Sequence, residues 1–257
     1  DYGNYQRDYN PNEFSIDVAY SRLLSEHWSG SVALRFIYSN ITGGMTVGTT
    51  ETKAGIAYAA DASAFYTKPL ELGSKKGNIA AGFNFSNIGS KMSYTTDVDP
   101  DFIPMNMRLG TTFLVNLDRY NSLAVSLDIN KLLVPTPPQV LDGEIVDGMD
   151  PNVSVPVAIF QSFYDAPGGF REEMQEFTQS LGLEYWYSDQ FALRAGYFHE
   201  NESKGNRKYF TAGAGFKLRG FTIDFSYLMP TVSNHPLART LRFSLAFDIN
   251  ALQRNGN

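Results

Sequence analysis

The chain has 257 residues, no cysteine and a formal net charge of −6. The lack of cysteine excludes disulfides and thiol chemistry, and the negative charge argues against nucleic acid as a partner. No apolar run approaches the ~18 residues that mark a membrane-spanning helix. Charged residues make up only 19% of the chain, below the ~25% typical of soluble domains. These values leave room for a membrane protein that crosses with strands, because such strands give only a weak hydropathy signal.

Eleven segments alternate apolar residues with small or polar ones, which is the pattern of β-strands with two different faces. Most of them exceed the ~5–6 residues of globular strands and match the ~9–11 residues that cross a bilayer at a tilt of about 45°. The predicted strands are residues 14–24, 29–38, 54–66, 78–87, 105–117, 122–132, 176–187, 191–199, 208–218, 221–229 and 239–249.

The connections between these strands alternate in length along the whole chain. An up-and-down barrel of an outer membrane has short periplasmic turns and long outer loops, whereas a Greek-key sandwich has no reason to alternate. The short links are residues 25–28, 118–121, 188–190 and 219–220, with a moderate one at 68–77. The long links are residues 39–53, 88–104, 133–175, 200–207 and 230–238.

The two faces of the strands predict which side meets lipid. In the last strand we expect Leu241, Phe243, Leu245 and Phe247 to face lipid, with Arg242, Ser244 and Asp248 facing inward. The minor face combines small residues with opposite charges, which must pair in a crowded interior to offset their desolvation. The charged residues predicted there are Asp17, Arg35, Asp61, Arg108, Asp128, Glu184, Arg194, Asp224, Arg242 and Asp248.

The predicted fold is therefore an all-β, transmembrane, antiparallel up-and-down β-barrel. Residues 1–257 form one outer-membrane barrel domain, with residues 133–175 as a long extracellular loop that contains short helices. The first and last predicted strands both run inward. A closed bacterial barrel has an even number of strands, so we expect an odd number of strands to precede Asp1.

Sequence motifs of catalysis are lacking, so we predict a protein that is not an enzyme and has no cofactor or metal. Asp97, Asp99 and Asp101 resemble the start of a calcium loop. However, Phe102 stands at the glycine position of that motif and Arg108 at its bidentate acid position, so the match fails. A solvated acidic loop is the simpler interpretation.

The loop at residues 133–175 holds the most informative pattern. Its first half contains three prolines and is predicted to be extended and irregular. In its second half Pro156 suits a first helical turn, and apolar residues follow at helical spacing. Gly168 and Gly169 then separate a second short helix that includes Phe170, Met174 and Phe177. These aromatic residues form either a lid packed into the barrel mouth or an apolar surface for another protein.

The second alternative predicts a docking face built from three outer loops. Ile41, Met45 and Val47 come from the first loop, and Phe102 and Ile103 come from the next. The third loop contributes the largest set, which is Val157, Phe160, Phe163, Tyr164 and Phe170.

Four stretches resemble the PorV/PorQ family of FadL-like outer-membrane barrels of the Bacteroidota. They are LRFIYSNITGGM, LVPTPPQV, SLGLEYWYSDQFALRAGYFHE and YFTAGAGFKLRGFTIDFSYLMP. The resemblance covers most of the chain. It implies a barrel of about fourteen strands, of which this chain holds about eleven.

The resemblance also implies a role in the type IX secretion system. A protein of this kind receives secreted cargo by its C-terminal signal domain at the translocon barrel and carries it to the attachment complex with its sortase. Its other partner is outer-membrane lipid, and nucleic acid is not expected. The alternative is a FadL-type channel for the uptake of long-chain hydrophobic molecules. A polar, charged interior favours the first role.

Overall fold

The structure is a computed structural model that describes residues 10–41, 43, 46–47, 50–96, 98–218, 220–231, 238 and 240–247. Its elements follow one another as β1 (Asn12–Leu23), β2 (Trp28–Asn40), β3 (Thr46–Val47), β4 (Thr50–Glu51), β5 (Gly55–Leu72), β6 (Lys75–Gly89), β7 (Asn106–Asn116), β8 (Asn121–Leu132), β9 (Gln139–Leu141), β10 (Glu144–Asp147), α1 (Val155–Gln161), α2 (Gly169–Gln175), β11 (Thr178–Tyr187), β12 (Phe191–His199), β13 (Tyr209–Leu218), β14 (Phe221–Pro230) and β15 (Leu241–Phe247).

Eleven long strands form one antiparallel sheet in the order β1-β2-β5-β6-β7-β8-β11-β12-β13-β14-β15. Each strand pairs with the next long strand along the chain, so the predicted up-and-down order is confirmed. All eleven predicted strands are present, with ends that shift by a few residues. The hairpin of β5 and β6 is longer than predicted, because the expected link at residues 68–77 shrinks to a tight turn at Gly73, whose φ is +64°. Within the described ranges, β1 and β15 are the two edges of the sheet.

One face of this sheet is apolar and uncovered. Val18, Leu34 and Ala60 lie side by side on neighbouring strands, and Leu34 is 69% exposed. In β15 the predicted apolar residues share that face, since Phe243 pairs with Phe225 and their rings are 5.3 Å apart. Soluble monomers rarely expose an apolar surface of this extent.

The opposite face carries small residues and ion pairs between strands. Arg35 of β2 contacts Asp17 on one side and Asp61 on the other. Because unpaired charges on a crowded face are costly, these contacts explain why arginine stands among alanines and serines. They confirm the predicted pairing of charges for this group.

A second ion-pair group lies across β13. Arg194 of β12 contacts Glu184 of β11 and Asp224 of β14, each at 2.5 Å. The guanidinium reaches Asp224 by passing over Gly215, where an added Cβ would stand 2.7 Å from the Arg194 Nη1. A side chain at position 215 would therefore obstruct the ion pair.

The buried apolar core lies at the end of the sheet where the long loop covers it. Met105, Leu133 and Ala158 are fully buried there, beside Ala57. Ile103 belongs to the same cluster and is only 5% exposed. The expectation that Ile103 contributes to an exposed surface is therefore wrong, because the long loop packs over it. In the part of the chain that the structure describes, no helix is both long enough and apolar enough to span a membrane.

Candidate functional site: the long loop between β8 and β11

The first half of the long loop forms a β-hairpin rather than the predicted irregular segment. Strands β9 and β10 pair through Leu141 and Glu144, and Asp142 and Gly143 form the turn. The φ angles of the two turn residues are +52° and +86°. An Asp-Gly pair with positive φ at both positions forms the type I′ turn that two-residue hairpins prefer. That dipeptide between apolar residues was the signal that sequence reasoning missed.

The second half forms two short helices, as predicted. Helix α1 has Pro156 in its first turn, where the missing N–H costs nothing. Helix α2 begins after Gly168. Phe163 and Tyr164 lie beyond the end of α1, and Phe177 lies beyond α2, so the helices are shorter than the apolar spacing predicted.

A buried lysine joins the loop to the sheet. Lys131, near the end of β8, is only 1% exposed. Its Nζ lies 3.1 Å from Glu173 Oε2 and 2.5 Å from Glu176 Oε2. The rings of Phe163 and Phe177 lie 5.6 Å and 5.3 Å from the same ammonium group. A buried charge needs partners of this kind to offset its desolvation.

The network continues outward from Glu176. This carboxylate also accepts hydrogen bonds from Thr136 Oγ1 at 2.6 Å and Lys204 Nζ at 2.9 Å. Burial acts to raise the pKa of Glu176, but the hydrogen bonds that it accepts outweigh burial and hold the pKa below its ordinary value. Lys204 also contacts Glu172 of α2 at 2.5 Å. Burial acts against its charge, but the two carboxylates raise the pKa of Lys204.

The side chain of Asp165 is buried inside the packed loop, where it is only 1% exposed. Its Oδ2 accepts a hydrogen bond from the backbone N–H of Thr136 at 3.0 Å. Among the described residues its buried Oδ1 has no hydrogen-bond partner. Burial therefore raises the pKa of this carboxyl group.

The hairpin and the helices are also tied to each other. Gln161 of α1 donates a hydrogen bond to the carbonyl oxygen of Asp150 at 2.9 Å. Gly148, at the base of the hairpin, has a φ of +88°, and a Cβ added to it would stand only 3.1 Å from both Pro138 and Pro167. These contacts make residues 133–177 one packed unit.

The predicted aromatic residues of this loop point away from its packed side. Phe160 is 71% exposed, Tyr164 62% and Phe170 78%. Val157 is also exposed, whereas Phe163 is less so and lies near Lys131. The loop packs instead through small and polar side chains, including Ala158, Gln161, Ser162, Ala166 and Glu173.

The two other predicted loops contribute less to this surface. Ile41 is exposed, whereas Met45 and the side chain of Val47 lie outside the described residues. Phe102 is half-buried and its ring lies 4.2 Å from the Lys91 ammonium group. The apolar residues of the hairpin, which sequence reasoning did not select, are exposed as well: Val140, Leu141, Ile145 and Val146.

The loop is therefore a packed support for exposed apolar side chains. Glu172, Glu173 and Glu176 are engaged by lysines, and in the described ranges no group of three or more His, Asp or Glu residues could hold a metal ion. Residues 4–139 match the family described as type IX secretion system protein PorV, which is more than half of the chain.

The chain belongs to the PorV family. Among curated proteins, none matches it.

Membership of the PorV family makes this chain a component of the type IX secretion system. The matched segment extends from before β1 to the first residue of β9, so it contains the strands up to β8 and Lys131.

Proposed function

We propose that this PorV-family chain binds secreted proteins through the exposed apolar side chains of its long loop, without being an enzyme. Its partners are cargo proteins with C-terminal signal domains, the translocon barrel and the sortase of the attachment complex, between which it acts as a shuttle. The observation that carries the proposal is the exposure of Phe160, Tyr164 and Phe170 on a loop held by buried ion pairs. Protein interfaces concentrate binding energy in such aromatic residues.

The proposal includes the outer membrane as the location of the protein. The uncovered apolar face of the sheet supports contact with lipid. Trp28, Tyr120 and Tyr187 at the strand ends suit the membrane interface, and the ring of Tyr66 lies 5.0 Å from that of Trp28. We propose a closed, FadL-like barrel of about fourteen strands, with the long loops extracellular, as in the barrels of the Bacteroidota that the sequence resembles.

The lid alternative fits the loop less well. A lid that closes the barrel mouth would bury its aromatic side chains against the inner face of the strands. Here the most exposed aromatic residues of the loop, Phe160 and Phe170, are not packed against the strands. Exposed apolar surface of this kind marks an interaction site.

Substitution of the exposed aromatic residues tests the proposed function. We expect the triple variant Phe160→Ser, Tyr164→Ser and Phe170→Ser to fold normally, because these side chains are exposed and take no part in the buried ion pairs of Lys131. Partner binding should weaken by about 2 kcal/mol or more, the value of an interface hot spot. Recovery of cargo and translocon proteins from solubilised outer membrane measures this loss.

The matched control is Tyr120→Ser, which removes an exposed aromatic residue from a short turn. It should leave partner recovery unchanged. Full recovery with the triple variant would remove this loop surface from the binding site.

The inner face of the sheet predicts poor conduction of ions. Arg35 and Arg194 are held by carboxylates on neighbouring strands, and such pairs occupy the space that an aqueous channel requires. We expect the whole protein to show little or no conductance in planar bilayers. Steady, porin-like currents would contradict this expectation and favour the FadL-type channel as the alternative function.

A further inference from the structure

The β9–β10 hairpin stands apart from the main sheet. The two strands form a separate two-stranded sheet, and in the described ranges neither of them hydrogen-bonds to any other strand. A two-stranded ribbon is only marginally stable alone. This one is fixed at its base by the packing of Gly148 against Pro138 and Pro167. Both of its edges are therefore open, yet its position is fixed.

The hydrogen-bonding groups at these edges can be assigned from the turn. In a two-residue hairpin the residues that flank the turn exchange hydrogen bonds with each other. Leu141 and Glu144 are that pair. Val140 and Ile145 form the next pair, so their N–H and C=O groups point outward from the two edges.

The two faces of the hairpin differ in chemistry. Val140 and Ile145 lie on one face, and both are exposed and apolar. The other face carries Glu144 opposite Leu141 and, beyond a bulge at Val146, Asp147 opposite Gln139, so both carboxylates of the two strands lie on this face. A strand added to either edge would therefore meet apolar side chains alone on one face, and on the other face the two carboxylates together with Leu141 and Gln139.

The charged residues of the hairpin itself are all of one sign. Residues 139–150 contain four acidic residues, Asp142, Glu144, Asp147 and Asp150, and no lysine or arginine. Among the described residues none of these carboxylates forms a salt bridge. A second copy of this chain would bring another four carboxylates to the same place, so like charges disfavour self-association through this edge.

We propose that an open edge of the hairpin receives an extended segment of a partner protein in which apolar side chains alternate with lysine or arginine. The added strand gains backbone hydrogen bonds from Val140 or Ile145, as in other cases of strand addition. Since successive side chains of a strand point to opposite faces, its apolar residues lie beside Val140 and Ile145 and its basic residues face Glu144 and Asp147. This inference rests on the proposed function, because it specifies part of the partner that the loop binds.

Binding of short peptides to the whole protein in detergent micelles tests this inference. A peptide that alternates valine with lysine should bind, and its affinity should fall as salt is added. The variant D142N/E144Q/D147N keeps the turn and removes three charges. It should bind this peptide about tenfold more weakly, the effect of losing exposed ion pairs. Equal binding of a peptide that alternates valine with glutamate would overturn the inference.

The edge itself is tested by proline. The variant V140P/I145P removes both outward N–H groups, and proline is tolerated at such edge positions. Its matched control V140T/I145T keeps them. We expect about a tenfold or larger loss of peptide binding for the proline variant alone. Equal binding by the two variants, or a doubled particle mass that the proline variant abolishes, would overturn the inference.

Failure of this inference can be told apart from failure of the proposed function. If the aromatic triple variant loses partner proteins while the proline and charge variants keep both peptide and partners, only the hairpin assignment is wrong. If all variants recover partners as the parent does, the proposed function of the loop is wrong as well.

Discussion

Replacement of Lys131 with methionine is expected to loosen the whole loop at residues 133–177. The substitution leaves Glu173, which is 3% exposed, without the ammonium group that neutralises it. Removal of one partner from a buried ion pair costs about 3–5 kcal/mol, because the remaining charge is buried and uncompensated. Each 1.4 kcal/mol is a factor of about ten, so the equilibrium for local opening should rise by about 100-fold or more.

Hydrogen exchange of the backbone amides measures this opening, because it resolves local unfolding from global unfolding. The main sheet should keep its protection, while residues 133–177 should exchange faster. Unchanged exchange in the loop would show that the buried network does not hold it.

The matched control is Lys208→Met. Lys208 forms a salt bridge with Glu202 at 2.9 Å, but the carboxylate is 77% exposed. Exposed ion pairs contribute about 1 kcal/mol or less, so this variant should leave the exchange of the loop nearly unchanged. The double variant K131M/E173Q removes both charges and should restore part of the lost protection.

The same substitution also links the packing of the loop to its proposed role. Lys131 of β8 is only 1% exposed and offers no surface for binding, whereas Phe160 and Phe170 are exposed on the loop that it holds. If the network positions these aromatic residues, K131M should weaken partner recovery although it removes nothing from the exposed surface. If K131M opens the loop but recovers partner proteins as well as the parent does, the buried network is not needed to position these aromatic residues.

The strands could be predicted from the sequence because the two faces of each strand have different surroundings. One face of the sheet is apolar and uncovered, and the other carries small residues and ion pairs. Alternation of apolar residues with small or charged ones is a local signal. In β11 and β12 one face carries Leu181, Leu183 and Leu193, and the other face carries Gly182 and Arg194. The structure pairs these strands in the register that the alternation requires. The two short helices were found for a similar reason, because Pro156 and the spacing of apolar residues are also local.

The buried network could not be found in the same way. Lys131 stands near the end of a strand and has the sequence context of an ordinary surface lysine. Its partners, Glu173 and Glu176, follow more than forty residues later, and nothing in the spacing joins them to it. Ile103 was misassigned for the related reason that its burial depends on the distant loop that packs over it. The hairpin, by contrast, had a local signal, because the dipeptide Asp142-Gly143 favours a two-residue turn. The three prolines that precede it led instead to the prediction of an irregular segment.

The largest remaining test concerns the uncovered face of the sheet. Leu245 is 58% exposed in β15, on the face that also carries Phe243 and Ile223. If this face meets water, Leu245→Arg should change the free energy of unfolding by no more than about 0.5 kcal/mol, as exposed substitutions do. If it meets lipid, the same change should cost about 2–4 kcal/mol near the middle of the bilayer.

The neighbouring residue provides the control for this test. Ser244 pairs with Asp224 and therefore lies on the opposite face, which carries the ion pairs. Ser244→Arg adds the same charge one residue away, beside a carboxylate, and should cost far less than Leu245→Arg. Urea unfolding of both variants in lipid vesicles measures the difference. A small and equal effect at the two positions would contradict lipid contact, because only a low-dielectric surrounding makes an arginine on one face so much more costly than on the other.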